Sequence, residues 1–156
     1  MKPLCIYHRN CADGFGAAWV VRKFFGSDGV DFYAASYGSL PPDVAGRDVI
    51  IVDFSYKRPV LDDMALTATT ILILDHHKTA AEDLAPFAIE ECGGGRFVYA
   101  DIGGVWRGFD ELNRPKIAAL FNMGKSGAGI TWDFFFPNQP RLALINHIED
   151  RDLWLF

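Results

Sequence analysis

The sequence predicts a doubly wound α/β fold, in which a mostly parallel sheet carries helices on both faces. Short apolar runs, which suit strands buried on both sides, alternate with amphipathic stretches that suit helices. Several of these runs end directly in polar, titratable residues, as strands do at the ligand-binding edge of a parallel sheet. The chain has 156 residues, half of them apolar, which is enough for a single domain with a substantial core.

The first half of the chain is predicted to form a strand, a helix and two further strands. Residues 3–7 are a short buried strand, and residues 8–14 form the polar loop after it. From Gly14 the apolar residues recur on one side, which predicts a helix that Gly26 ends. Residues 30–34 and 48–52 are rich in β-branched and aromatic residues and are predicted strands.

The second half continues the alternation of helices and strands. Pro59 suits the first turn of a helix, and a buried strand follows at residues 70–74. A short helix follows Thr79, and residues 117–121 are predicted to be the last core strand. The remaining predictions are a strand at residues 97–100, a helix through Trp132 that ends before Pro137, and a helix at residues 142–148 that leads into an acidic segment.

Composition excludes several classes of protein. A net charge of −5 argues against a broad basic surface for long duplex nucleic acid. No apolar run approaches ~18 residues, so we expect no membrane span, and the first residues lack a signal-peptide pattern. The three cysteines lack the spacing of a zinc site or a disulfide framework, which indicates a reducing, cytoplasmic location.

The apolar residues 153–156 suggest that the chain is the first domain of a longer protein. The sequence does not decide whether the protein forms a homodimer.

Titratable residues collect where three predicted strands end, and the last helix adds a further carboxylate. Carboxylates crowded together repel one another unless they are protonated, paired with arginine or bound to a metal. Imidazoles among carboxylates suit Mn²⁺ or a similar divalent ion better than calcium, and about six ligands suffice for two ions ~3.5–4 Å apart. These residues are His8, Asp13, Asp53, Asp75, His76 and His77 at the strand ends, with Asp150 or Asp152 from the last helix.

Four segments, in this order, resemble the motifs of the DHH-superfamily phosphoesterases. They are residues 8–14 (HRNCADG), 52–55 (VDFS), 74–77 (LDHH) and 149–154 (EDRDLW). That group includes RecJ-type exonucleases, nanoRNases, cyclic-dinucleotide phosphodiesterases and family II pyrophosphatases. The resemblance covers nearly the whole chain apart from about residues 92–115. It implies a doubly wound parallel sheet, a centre with two manganese ions and usually a second, smaller C-terminal domain, for which this chain has no counterpart.

The resemblance also implies a role for each residue of the ion-binding motifs. Asp53 would bridge the two ions. Asp13, His76 and one of Asp150 or Asp152 would hold one ion, and motif position does not decide between the last two.

The remaining motif residues would complete the centre. His8 would help to hold the second ion, Asp75 would orient an imidazole, and His77 would meet the substrate phosphate. Cys11 stands where many members of the family have an aspartate, and sulfur is a soft ligand that matches Mn²⁺ poorly. The residues expected to be catalytic are Asp53, Asp75, His76 and His77.

The function implied is hydrolysis of phosphodiester or phosphomonoester bonds in small nucleotides by water that two metal ions activate, with Mg²⁺ or another divalent ion able to replace Mn²⁺. Substrates would be short single-stranded oligonucleotides, linear dinucleotides or 3′-phosphoadenosine phosphate. One alternative is a degenerate, non-catalytic nucleotide-binding or regulatory domain, and another is a hydrolase that uses Cys11 as nucleophile with His8.

Two features of the sequence have no assigned role. The turn at residues 126–129 could bind a phosphate or be an ordinary turn. His147 is expected to be structural, because apolar residues surround it in the sequence.

Overall fold

A five-stranded parallel sheet forms the centre of the protein, as seen in a computed structural model that describes residues 1–88 and 117–154. The strand order is β2-β1-β3-β4-β5, and every neighbouring pair is parallel. The strands are β1 (Leu4–His8), β2 (Asp31–Ala35), β3 (Asp48–Val52), β4 (Thr70–Asp75) and β5 (Ile117–Phe121). The helices are α1 (Ala12–Phe25), α2 (Arg58–Met64), α3 (Lys78–Asp83), α4 (Gly127–Phe135) and α5 (Ala143–Asp152), with a 3-10 turn at Ala85–Phe87.

The predicted α/β class with a parallel sheet is confirmed. Residues 48–52 and 117–121 form strands with the bounds predicted from the sequence, and the other described strands differ by one residue at one or both ends. Gly26 ends α1 with a φ of 87°, and its backbone N–H donates to the carbonyl of Arg22. The predicted strand at residues 97–100 lies outside the described residues.

Two hydrophobic cores cover the two faces of the sheet, because successive residues of a strand point to opposite sides. Ile50 packs in one core together with α1 and with the buried Trp132 of α4. Ile51, the next residue, packs in the other core with Leu61 of α2. Burying a side chain of this size stabilises the fold by about 1.5–3 kcal/mol, so both faces of the sheet need helices.

The order of the strands places a crevice between β1 and β3. The chain passes from β1 to β2 on one side and then crosses to β3 on the other, so the connections after β1 and β3 diverge. Such a switch point is where open α/β sheets bind ligands. Gly14 allows α1 to begin against the end of β1, because a Cβ at this position would lie 2.3 Å from the carbonyl oxygen of His8.

The last helix differs from its prediction. It extends from Ala143 to Asp152, so it contains the acidic segment instead of stopping before it, and Ile145 is its one buried residue. His147 is exposed, and the prediction that it is structural is wrong because its flanking apolar residues do not all face the core. In the part of the chain that the structure describes, no helix is both long and apolar enough to cross a bilayer.

Candidate metal centre

All the predicted site residues except Asp150 meet at the carboxyl edge of the sheet, beside the ends of β1, β3 and β4. Their ligand atoms form three overlapping groups, each with all its atoms within 4.8 Å of one another. Two residues belong to two groups each, Asp53 and His76. Asp150 is exposed and lies in none of the groups found among the described residues. The groups are Asp53, Asp75, His76 and His77; His8, Cys11 and Asp53; and Asp13, His76 and Asp152.

Asp53 lies at the centre of the cluster, directly after β3. Its φ is 52°, a left-handed conformation that aspartate adopts more readily than most residues, and its side chain is 1% exposed. One carboxylate oxygen accepts from His76 Nε2 at 3.0 Å, and the other accepts from the Cys11 thiol at 3.4 Å. Burial raises the pKa of Asp53 to about 7, with the negative charge of Asp13 adding to the shift against the opposing effect of His76.

Asp13 is held by the first turn of α4. The backbone N–H of Gly127 donates to one carboxylate oxygen at 2.8 Å, and that of Ala128 donates to the other at 2.7 Å. Burial alone would raise the pKa of Asp13, but hydrogen bonds from His76 and from these two backbone groups hold it below its ordinary value. The N–H groups of this turn therefore bind a carboxylate of the protein itself. The sequence had not decided whether they bind a phosphate or belong to an ordinary turn.

A second polar network fixes the start of α4. The Ser126 side chain accepts from the N–H of Gly129 at 2.9 Å, and the N–H of Ser126 donates to Glu149 Oε1 at 2.8 Å. Glu149 is paired with Arg141, whose guanidinium also makes two hydrogen bonds to Asp133 at 3.0 and 2.7 Å. These contacts restrain the helix end that holds Asp13.

His76 lies among three carboxylates. Its Nε2 is 3.0 Å from Asp53 and 3.3 Å from Asp13, and its Nδ1 is 3.6 Å from Asp152. Although burial alone would lower it, the hydrogen bonds to Asp13 and Asp53 raise the pKa of His76 to about 10. Burial, together with the charge of Asp13, raises the pKa of Asp152. An imidazolium thus balances part of the negative charge here, and a cation bound by these groups would take over that role.

Asp75 positions the two histidines that follow it. The carboxylate is fully buried, and its Oδ1 accepts from the backbone N–H of His76 at 2.8 Å and from His77 Nδ1 at 2.6 Å. This hydrogen bond is the main reason why the pKa of His77 is raised. The arrangement is the one that an orienting carboxylate requires.

The donor set fits a divalent cation. His8 Nδ1 is buried and has no hydrogen-bond partner in the described part of the protein, and it lies 3.8 Å from Asp53 Oδ2, too far for a hydrogen bond. Burial, with the nearby charge of His77, lowers the pKa of His8, which keeps its ring neutral and able to bind metal. A buried nitrogen without a hydrogen-bond partner, close to a carboxylate and a thiol, suits a ligand of a metal ion.

Cys11 is a protonated thiol in this structure. Burial raises its pKa, with the charge of Asp53 adding to the effect against backbone hydrogen bonds that lower it. A nucleophilic cysteine needs the opposite shift, so the geometry gives no support to the cysteine-hydrolase alternative. Binding of a metal ion by sulfur would first require loss of this proton.

Tyr37 is a site residue that the sequence did not indicate. It lies in the turn after β2, with its ring centre 5.2 Å from His8, 5.0 Å from Phe54 and 6.2 Å from His77. Burial, with the charges of the nearby carboxylates, raises its pKa to about 12, so its hydroxyl stays protonated. Only the pairing of β2 with β1 brings it here, and that pairing has no local sequence signal.

Comparison with known proteins shows the fold and leaves the function open. No protein-family model matches the chain. "Uncharacterized protein R106" of Acanthamoeba polyphaga mimivirus is 30% identical over an alignment 166 residues long. The alignment covers 97% of this chain and 33% of the viral protein. A crystal structure of an uncharacterized protein from Helicobacter pylori G27 is similar with a TM-score of 0.60 at 14% identity, over 99% of this chain and 43% of that one. The chain therefore spans about a third of the viral relative, and it shares its α/β fold with part of the bacterial protein.

Proposed function

We propose that this chain is a metal-dependent phosphoesterase of the DHH type, acting on phosphodiester or phosphomonoester bonds of small nucleotides. The observation that carries the proposal is the position of Asp53, which belongs to two ligand groups at once. A carboxylate shared between two groups of ligands is what a two-metal hydrolytic centre needs. The resemblance of the four ordered motifs favours that family, and the crevice at the strand switch point is where a substrate would bind.

The ligand residues would have the following roles in binding the two ions. Asp13, His76 and Asp152 would hold one ion, and His8 and Cys11 would hold the other. Asp53 would serve both ions, because it shares one group with His8 and Cys11 and lies 3.0 Å from His76 of the other set. Bound divalent cations would activate a water molecule and stabilise negative charge on the phosphoryl oxygens.

His77 would act on the substrate directly. Its pKa is raised by its hydrogen bond to Asp75, so it can donate a proton or a hydrogen bond to a phosphate or leaving-group oxygen. Asp75 would act through His77 by fixing the orientation of its ring.

A manganese titration of the purified chain by calorimetry tests the proposal. We expect two ions to bind, the one on the His8 side more weakly because Cys11 must lose a proton and offers a soft ligand. His76→Ala should remove one of the two binding events. Asp150→Ala is the matched control, because this carboxylate lies outside the cluster and its loss should leave both events intact. Absence of any binding to the unmodified chain would contradict the proposal.

The affinity for Mn²⁺ is expected to increase with pH. The cation-free site binds protons at His76, with a pKa of about 10, and at Asp53, with a pKa of about 7. A cation must displace these protons, so a higher pH leaves fewer to displace. One displaced proton corresponds to about a tenfold gain in affinity per pH unit between pH 6 and pH 8, with a further gain below pH 7 from Asp53. Calorimetry in buffers of different protonation enthalpy counts the protons directly, and a pH-independent affinity would contradict the assignment of these ligands.

A non-catalytic nucleotide-binding domain is the second candidate, and the state of Cys11 favours it. A protonated thiol bonded to Asp53 occupies a position where a second ion would need an anionic ligand. This candidate predicts nucleotide binding without turnover. Turnover that a chelator abolishes and Mn²⁺ restores would exclude it.

Manganese as the resident ion and a cytoplasmic location are parts of the proposal that rest on the sequence.

A further inference from the structure

A cavity of about 930 Å³ lies beside the metal centre, between the start of α1 and the face of α5. Asp13 and Asp152 line one part of it, so the cavity reaches the ligands of the candidate metal site. Its volume lies in the range of pockets that enclose small organic molecules. Other residues of its lining have no role in the metal centre, and they include His147, Arg151 and Trp154.

His147 and Arg151 lie one turn apart on α5, and Trp154 stands two residues after the helix ends. Arg151 is exposed in the last turn of α5, and Trp154 follows the helix with 80% of its side chain accessible. The backbone of Trp154 has a φ of 57°. Glycine or asparagine usually occupies a left-handed position after a helix, and a bulky aromatic residue there is uncommon. Residues with such uncommon backbone conformations are concentrated at ligand sites.

The lining of the cavity thus offers two kinds of chemistry. Its carboxylates, Asp13 and Asp152, attract a phosphate only through bound cations. Its indole ring and guanidinium, from Trp154 and Arg151, together recognise flat aromatic rings by stacking and cation–π contact. A purely anionic substrate such as pyrophosphate would make no use of the indole ring.

We infer that this cavity is a base-recognition subsite, in which Trp154 stacks against the nucleobase of a nucleotide and Arg151 lies beside it while the phosphate reaches Asp13 and Asp152. The inference rests on the proposed function and adds to it the part of the substrate that is recognised. It makes the C-terminal end of α5 and the residues just after it a specificity element, since Asp152 belongs to the candidate metal centre and Trp154 would contact the base.

Calorimetry with three probes separates recognition of the base from recognition of the phosphate. The probes are adenosine, which has a base without phosphate, ribose 5-phosphate, which has phosphate without a base, and 5′-AMP, which has both. With Mn²⁺ present, 5′-AMP should bind about tenfold or more tightly than ribose 5-phosphate, which is the size of one stacking contact. With EDTA present, the binding of adenosine should persist, because stacking on Trp154 needs no cation.

Trp154→Ala tests the assigned residue. Because Trp154 is exposed, we expect the variant to fold, and thermal unfolding checks this. This variant should lower the affinity for 5′-AMP about tenfold, leave that for ribose 5-phosphate unchanged and keep the Mn²⁺ stoichiometry. Leu144→Ala is the matched control, because Leu144 is also an exposed apolar residue of α5 but does not line the cavity.

The outcomes distinguish the inference from the proposed function. Equal affinity of Trp154→Ala and the unmodified chain for 5′-AMP would overturn the inference, as would equal binding of 5′-AMP and ribose 5-phosphate by the unmodified chain. Binding of adenosine that depends on Trp154, in a chain that binds no Mn²⁺, would support the subsite while removing the phosphoesterase proposal.

Discussion

Asp53→Asn is expected to abolish metal-dependent hydrolysis of phosphate esters while the protein stays folded. Asn keeps the size of the side chain but removes the negative charge shared by the two ligand groups. The transition-state stabilisation that a metal centre supplies amounts to several kcal/mol, so kcat should decrease by at least about a hundredfold. The measurement is turnover of bis(p-nitrophenyl) phosphate and of a linear dinucleotide with saturating Mn²⁺.

The fold should tolerate this change for two reasons. Asparagine is among the residues that accept a φ of 52°. The carboxylate it replaces is also a destabilised one, because burial and the charge of Asp13 raise its pKa to about 7. Removing a strained negative charge from a crowded cluster should cost little stability, and thermal unfolding checks this.

Asp63→Asn is the control for the first prediction. Asp63 is exposed on α2 and belongs to none of the ligand groups, so its neutralisation should change neither turnover nor Mn²⁺ binding. Metal-dependent turnover in Asp53→Asn at the level of this control would show that hydrolysis does not use the bridging carboxylate. Absence of turnover in the unmodified chain, despite bound Mn²⁺, would instead favour the non-catalytic candidate.

The sheet and most of its edge could be predicted because their signals are local. The strand β4 is a run of apolar residues that ends in Asp75, and all six of its residues are buried. An apolar run of this length needs cover on both faces, which favours a parallel sheet with helices. In such a sheet, residues that follow neighbouring strands must emerge at one edge, and His8, Asp53 and His76 do so.

The choice between Asp150 and Asp152 could not be made from the sequence. Two residues two positions apart on a helix point about 200° apart around its axis, so only one of them can face the cluster. Which one does so depends on how α5 packs, and Gly16 of α1 meets Ile148 there so closely that an added Cβ would lie 2.8 Å from it. The structure places Asp152 beside His76 and leaves Asp150 exposed.

The partners of Asp13 were beyond prediction for a similar reason. The amides of Gly127 and Ala128 that bind it are 114 and 115 residues away in the chain. A turn with glycines before a helix indicates exposed N–H groups, but it does not indicate which acceptor they will meet. Packing of α4 beside α1 supplies that acceptor from within the protein.

Gly127→Ala is expected to weaken both the fold and the metal centre, although alanine favours helices more than glycine does. A Cβ at this position would lie 2.6 Å from Asp53 Cβ and 2.8 Å from Asp53 Oδ1. Asp53 Cβ is attached to the backbone and cannot rotate away, so β3 or the start of α4 must move. Overpacking of this kind costs about 1–3 kcal/mol of the free energy of unfolding. Chemical denaturation and the Mn²⁺ titration measure the two effects.

Gly124→Ala provides the matched control, since the nearest atom to its added Cβ is a side-chain oxygen of Asn122 at 3.2 Å. We expect little change in stability or in Mn²⁺ affinity for this variant. A Gly127→Ala protein that is more stable than the original and binds Mn²⁺ normally would contradict the close contact with Asp53.

A double-mutant cycle assigns the cost of Gly127→Ala to that contact. Asp53→Gly suits a φ of 52° and removes the atoms that the new Cβ would meet. In this background Gly127→Ala should be neutral or stabilising, because only its helix propensity remains. The coupling free energy between the two positions should then be about 1–3 kcal/mol. A coupling near zero would mean that the cost arises elsewhere in the first turn of α4, and that Gly127 serves the hydrogen bonds to Asp13 alone.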